Sequence, residues 1–190
     1  MAASTGATAG PPSGVATYQI DSSHSLAEFA VKHMMFSTVK GRFASVSGEI
    51  AFDEADPTRS SVVARADVAS VDTGDPKRDG HLVSPDFFGA ENHPTLTFVS
   101  TRVEPHQRAG TYRIVGDLTM RGVTREGAFE AAYVGNGVDP WGGLRAGFTA
   151  AATINRKDFG LNFNVPLEGG GVLVSDQVKI SLEIEAVKQS

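Results

Sequence analysis

Hydrophobic and polar positions alternate with a period of two from Tyr18 onward. In 26–33, Ala27, Phe29, Val31 and His33 share one face, and Leu26, Glu28, Ala30 and Lys32 share the other. The stretch 44–52 sets Ala44, Val46, Gly48, Ile50 and Phe52 against Ser45, Ser47, Glu49 and Ala51. In 61–71, Val62, Ala64, Ala66 and Val68 oppose Arg65 and Asp67. The run 95–103 opposes Leu96 and Phe98 to Thr95 and Thr97, with Arg102 breaking the apolar set. In 111–120, Ile114, Leu118 and Met120 oppose Arg113 and Asp117. The run 124–134 sets Phe129 and Tyr133 against Glu126 and Glu130. In 143–155, Leu144, Phe148 and Ile154 oppose Arg145, Thr149 and Thr153; in 177–187, Val178, Ile180, Leu182 and Ile184 oppose Lys179, Glu183 and Glu185. One dry and one wet face per strand is the pattern of antiparallel sheet.

Turn residues fall between these runs. Asp56-Pro57, the stretch from Glu104-Pro105 to Gly110, Gly122, and Gly135-Asn136-Gly137 with Asp139-Pro140 each mark a reversal. About eight strands of such length favour an all-β, extended eight-stranded antiparallel up-and-down barrel, with a two-sheet sandwich as the alternative. Two stretches do not alternate. Residues 74–93 read as a crossover with one or two short helices, the second capped by Ser84 with Pro85 at its first position. Residues 156–176 form a second long connection containing Gly169-Gly170-Gly171, and long loops at a barrel end are where a lid would sit.

The interior of such a barrel is either packed or hollow. Its expected wall mixes small residues (Ala27, Ala44, Gly48, Ala64, Ala66, Gly116, Ala131, Ala146, Ala150, Ala152) with large rings. Small residues leave volume, but they also fit the taper of a packed barrel, and the pattern leaves both open. If the barrel is hollow, the candidate ligand contacts are the aromatic Phe29, Phe52, Phe98, Phe129 and Phe148. The aliphatic contacts would be Val31, Ile50, Ile114, Leu118, Ile154 and Ile180. A wall of this kind suits a long hydrocarbon, at about 0.8 kcal/mol per buried CH2.

Charge and composition narrow the chemistry. The 190 residues carry 17 Lys+Arg and 22 Asp+Glu, a formal charge of −5, and no cysteine. That balance argues against nucleic acid, which needs a basic stripe. A disulfide scaffold, a thiol nucleophile and thiolate-bound metal are excluded. No apolar run approaches the roughly 18 residues of a membrane-spanning helix. Residues 1–17 are small, uncharged and rich in Pro and Gly, read as a flexible tail ahead of a single domain over 18–190. Lacking a basic n-region and a bulky apolar block, the chain as given is expected to be cytoplasmic.

The polar candidates are few. His33 shares the face of Phe29 and Val31, either as a hydrogen-bond partner for a ligand head group or as a satisfied histidine at a strand end. His24 is expected to bond Asp21 as part of a turn. Arg78, Asp79 and His81 fall in the crossover and Arg156 and Asp158 in the second connection, and the two Arg–Asp pairs could clasp a head group or pin the loops to the barrel. The five histidines (24, 33, 81, 93, 106) show no i, i+2 or i+4 pairing that would signal a metal. Asp158-Phe159-Gly160 matches a kinase tripeptide but lacks every other kinase element. No glycine-rich phosphate cradle and no GxSxG elbow is present, so no cofactor is called.

Several ordered segments also carry a resemblance. They are Tyr18-Gln19-Ile20-Asp21 leading to His24-Ser25, Phe29-Ala30-Val31-Lys32-His33, and Val39-Lys40-Gly41-Arg42-Phe43. Asp72-Thr73-Gly74, Arg78-Asp79-Gly80-His81-Leu82, Asp86-Phe87-Phe88 and His93-Pro94-Thr95 follow. Gly116 through Thr124, Arg156-Lys157-Asp158-Phe159-Gly160 and Ser175-Asp176-Gln177-Val178 complete the set. In this order they resemble the YceI-like family, bacterial lipocalin-like proteins that bind polyisoprenoids. The resemblance implies an eight-stranded barrel with a hydrophobic tunnel and a bound isoprenoid quinone, polyprenyl lipid or, in some members, fatty amide. It implies a lipid carrier or store with no established catalytic residues. The alternatives are an enzyme acting on a hydrophobic substrate, a fatty-acid or fatty-amide binder in a stress response, and a packed structural barrel. Many relatives are exported with a signal peptide, a pattern from which this chain departs. Exposed barrel faces together with the resemblance leave a homodimer open.

Overall fold

The computed structural model describes residues 14–190. The described strands are β1 (Ala16–Ile20), β2 (Leu26–His33), β3 (Ser37–Phe43), β4 (Val46–Phe52), β5 (Ser61–Asp67) and β6 (Val71–Asp72). After helix α1 (Pro76–Val83) come β7 (Thr95–Pro105), β8 (Thr111–Met120), β9 (Val123–Val138), β10 (Leu144–Asn155) and β11 (Val174–Lys188). The tail expected over 1–17 lies outside the described residues for positions 1–13, and Ala16 and Thr17 already belong to β1.

All pairings between these strands are antiparallel, and β1 pairs with both β4 and β11. That double pairing closes an eight-membered ring, β1-β4-β5-β7-β8-β9-β10-β11, and removes the sandwich alternative. The other three strands prolong the same wall. β2 takes the length of β11 that β1 leaves free, β3 pairs with β2, and β6 with β3. Thus β1–β2, β3–β4 and β5–β6 are three long strands, each broken once. The break between β3 and β4 falls at Ala44-Ser45; that between β5 and β6 is a short 3-10 turn, Val68–Ser70.

Three expectations are corrected. Ser37–Phe43 is a strand beyond the eight expected runs, its Val39, Gly41 and Phe43 alternating with Thr38, Lys40 and Arg42. Gly135-Asn136-Gly137 lies inside β9, and the reversal follows at Asp139–Gly143, where the Asp139 carboxylate accepts from the N–H groups of Trp141 and Gly143. The crossover holds one helix: Asp75 caps it, accepting from the N–H of Lys77 and Arg78, and Pro76 takes its first turn. Ser84 ends that helix instead of starting another; its hydroxyl donates to His81 O and accepts from the Asp86 N–H.

Arg102 no longer interrupts an apolar face. A bulge between Ser100 and Arg102 moves the register by one residue, so Val103 pairs with Ile114 and Arg102 turns outward to Glu104 and Glu126. The expected hairpin at Gly122 is present: Arg121 and Gly122, both at positive φ (49° and 72°), link Met120 to its partner Val123. Two left-handed residues between two strands match their twist, and glycine takes the second position without strain.

Candidate functional site

Side chains from every long strand converge on one cavity of about 480 Å3 along the barrel interior. Its middle is walled by Phe98 and Phe129, in edge-to-face contact at 5.0 Å, with Ile114, Leu118, Ile180 and Leu182 around them. At the end where the chain enters β1, the rings of Phe52, Tyr133 and Phe148 meet at 4.8–5.6 Å. At the other end Phe43 touches Phe29 in a tilted contact and Phe88 edge-to-face, and His81, Phe87 and Phe163 form a second aromatic group. The interior is therefore hollow, and five of the ten small residues explain the space: Ala27, Ala64, Ala66, Ala131 and Ala150 line it. Ala44, Gly48, Gly116, Ala146 and Ala152 do not. A Cβ on Gly116 would lie 2.3 Å from Val99 O, so this glycine serves close strand approach and leaves no volume.

The eleven apolar candidates all lie on the cavity wall: Phe29, Val31, Ile50, Phe52, Phe98, Ile114, Leu118, Phe129, Phe148, Ile154 and Ile180. His33 is there too, half-buried at the end of β2. The charged candidates divide. Arg78 reaches the wall while its guanidinium donates to Thr73 Oγ1 (2.8 Å) and Thr73 O (3.0 Å). Asp79 does not reach it; its carboxylate accepts from the backbone N–H and hydroxyl of Thr73 and so folds the start of α1 onto β6. Asp158 is exposed and off the wall; its backbone carbonyl accepts from Arg125 Nε. The expected Arg–Asp clasps are thus absent as pairs among the described residues.

Arg156 is the buried cation of the site, with a side chain 5% exposed. It donates to four backbone carbonyls: Ser175 (2.9 Å), Leu161 (2.5 Å), Phe163 (2.9 Å) and Val174 (3.3 Å). Asp176 stands 3.7 Å away, and burial lowers the guanidinium's pKa from its ordinary value. These bonds fasten the 161–175 segment across the barrel end, which is the pinning role. Sequence reasoning missed Arg121, which joins the two long connections by donating to Gly160 O (2.7 Å) and Pro85 O (2.8 Å). His81, the third polar residue of the crossover, does reach the wall, and its Nε2 lies 2.9 Å from Asp86.

Outside the cavity, Asp21, His24 and Glu185 bring three potential metal-binding atoms within 4.8 Å of one another. Arg145 already fills that centre, 2.7 Å from Asp21 and 2.6 Å from Glu185, and it also bonds Asp139 at 2.8 Å. His24 bonds Asp21 at 2.9 Å, as expected of a turn. The Arg145 bond, then those from Ser23 and His24, hold the Asp21 carboxyl well below the usual carboxylate range. A depressed folded-state pKa gives stability that is present above the ordinary carboxylate value and lost as pH falls. Arg145→Gln is therefore expected to lower the melting temperature at pH 7, with the gap to wild type narrowing below about pH 4. Thermal melts at pH 3 and 7 check this; an equal gap at both would show that packing, not charge, carries the effect.

Among the described residues, no helix is long and apolar enough to cross a membrane. An antiparallel barrel closed around one elongated apolar cavity is a ligand-enclosing architecture. The chain belongs to a family with such a barrel: the YceI-like domain model matches residues 18–186. A UPF0312 protein of Pseudomonas aeruginosa (strain LESB58) is 38% identical over 176 residues, covering 92% of this chain and 88% of its own. One from Pectobacterium atrosepticum is also 38% identical, with the same coverage. Among solved structures, Burkholderia cenocepacia BcnA superposes with a TM-score of 0.75 at 26% identity, covering 87% of this chain and 98% of its own. A polyisoprenoid binding domain from Saccharophagus degradans superposes at 0.63 and 16% identity, covering 92% and 99%, a likeness of fold.

Proposed function

We propose that the protein binds one long-chain isoprenoid lipid inside the barrel and carries or stores it. The observation that carries this reading is the cavity of about 480 Å3, walled along its length by aromatic and aliphatic side chains. Such a wall rewards each buried CH2 by about 0.8 kcal/mol and offers little to a polar substrate. The Saccharophagus degradans domain, described as polyisoprenoid-binding, has the same fold and supports the ligand class. The candidate wall residues are the contacts of the chain; His33 and Arg78 are the polar groups nearest one end.

We read the protein as a binder and not an enzyme. Arg78 is engaged with Thr73, Arg156 with carbonyls and His81 with Asp86, which suits holding the walls in place. Mass spectrometry of an organic extract of the freshly purified protein, against a mock purification, tests the proposal. A prenyl quinone or polyprenyl species is expected at near one per chain. A control-like extract, together with no uptake of added polyprenol or ubiquinone, would overturn it.

A further inference from the structure

We infer that the β2–β3 hairpin tip, Met34-Met35-Phe36, docks the barrel onto an anionic lipid surface, an inference that rests on the lipid-binding reading of the cavity. The tip presents three consecutive large apolar side chains to solvent, 36%, 63% and 86% exposed. An exposed apolar cluster of this kind needs a partner. Met34 and Met35 both hold positive φ (51° and 63°), where glycine or asparagine would sit without strain. Long apolar residues at strained, exposed positions work against folding, and strain of this kind points to a use outside the fold.

Position says what the use is. The Met34 N–H donates to Leu173 O, and the Leu173 N–H to Val165 O, so the tip lies against the 165–173 loop. That loop adds Val165 and Val172, 43% and 36% exposed, to the same apolar surface. Directly behind it stand His33, Phe163, Leu173 and Val174, all on the cavity wall. The exposed patch and the apolar interior thus adjoin at one end of the barrel. A water-soluble partner gains little from such an arrangement, whereas a lipid leaving a bilayer would pass from one apolar medium to the next.

Charge below the tip fits an anionic surface. Ala30 on β2 pairs with Lys40 on β3 and with Lys179 on β11, and Lys32 stands one outward position nearer the tip, opposite Thr38. All three lysines are exposed, on an outer face shared with Thr38 and Gln177. The nearby Asp176 is already held by Lys157 at 3.1 Å; of the other acids, Glu28, the next outward position on β2, stands opposite Arg42 on β3, and Glu168 lies on the neighbouring loop. Three apolar insertions with a basic collar are the makings of reversible attachment to a membrane surface.

Flotation of the full chain with vesicles tests the inference. One set of vesicles is phosphatidylcholine alone; the other contains one-third phosphatidylglycerol. Wild type is expected to float with the anionic vesicles, Phe36→Ser to bind about tenfold less, and Lys32→Glu/Lys40→Glu to lose the preference for anionic lipid. Thermal melts confirm that these surface variants fold. Failure of wild type to float, or flotation of Phe36→Ser at the wild-type level, overturns docking. So does a fall from dimer to monomer in Phe36→Ser by light scattering, which would make the tip a contact between copies. Uptake of the fluorescent apolar probe N-phenyl-1-naphthylamine without vesicles reads the cavity separately. Wild-type uptake in Phe36→Ser supports a role confined to docking, whereas absent uptake in a wild type that floats would sink the cavity reading and leave the docking surface standing.

Discussion

Ala150→Trp is expected to empty the barrel of its long-chain ligand while leaving it closed. Ala150 sits mid-way along β10, paired with Ala131 on one side and Leu182 on the other, and its methyl faces the cavity. An indole there blocks the passage between Phe98–Phe129 and the Phe52–Phe148 end. Excluding even one five-carbon isoprene unit forfeits roughly 4 kcal/mol at about 0.8 kcal/mol per carbon, or about a thousandfold in affinity. Ala66→Trp makes the same test from the opposite wall, where Ala66 pairs with Val46 and Leu96. Ala150→Asp adds a carboxylate that an apolar interior tolerates only when neutral, so its defect should ease in acid. Extracted lipid per mole of protein is the readout, with circular dichroism and melting temperature as controls for folding. Wild-type lipid content in folded Ala150→Trp and Ala66→Trp would show that the ligand lies elsewhere.

The wall was legible in the sequence because a period of two leaves no choice about which face is dry. Every apolar candidate, from Phe29 to Ile180, was named by alternation and stands on the cavity. Where alternation failed to carry the reading, the cause was local. The bulge at Ser100–Arg102 shifts the register by one residue, which no property of Arg102 alone announces. Glycines were ambiguous for a physical reason: an absent Cβ serves equally to leave volume or to admit a neighbouring strand. Gly48 and Gly116 do the second, their missing Cβ atoms replaced by the backbone of Val63 and Val99. The loops were legible only as loops. Arg121 pins both long connections through carbonyl oxygens 36 and 39 residues away in sequence, and carbonyls, being present at every residue, leave no trace in composition. The same holds for Arg156: the expected carboxylate partner was Asp158, while its hydrogen bonds go to the main chain.

That main-chain role makes Arg156→Met the most damaging single change expected at the barrel end. The substitution keeps much of the apolar stem but removes the guanidinium's bonds to the carbonyls of Leu161, Phe163, Val174 and Ser175, Val174 O alone keeping a second side-chain donor in Asn164 Nδ2. Hydrogen bonds from a charged donor each contribute about 1.5–3 kcal/mol, and the freed 161–175 segment can recover some of them from water. A net loss of about 3 kcal/mol is expected, lowering the melting temperature of a chain this size by roughly 6–12 °C. Arg156→Lys should recover little of this, since an ammonium lacks the planar fork that spans carbonyls on both sides of the segment. Limited proteolysis should then cut within 161–173 well before the strands, because the loop loses its anchor while the ladder does not. Bound lipid should dissociate faster from this variant, the loop standing over the end of the cavity where His33 and Phe163 lie. A variant melting within a degree of wild type, with unchanged loop cleavage, would show the carbonyl bonds to be dispensable and return Arg156 to the candidates for contact with a ligand head group.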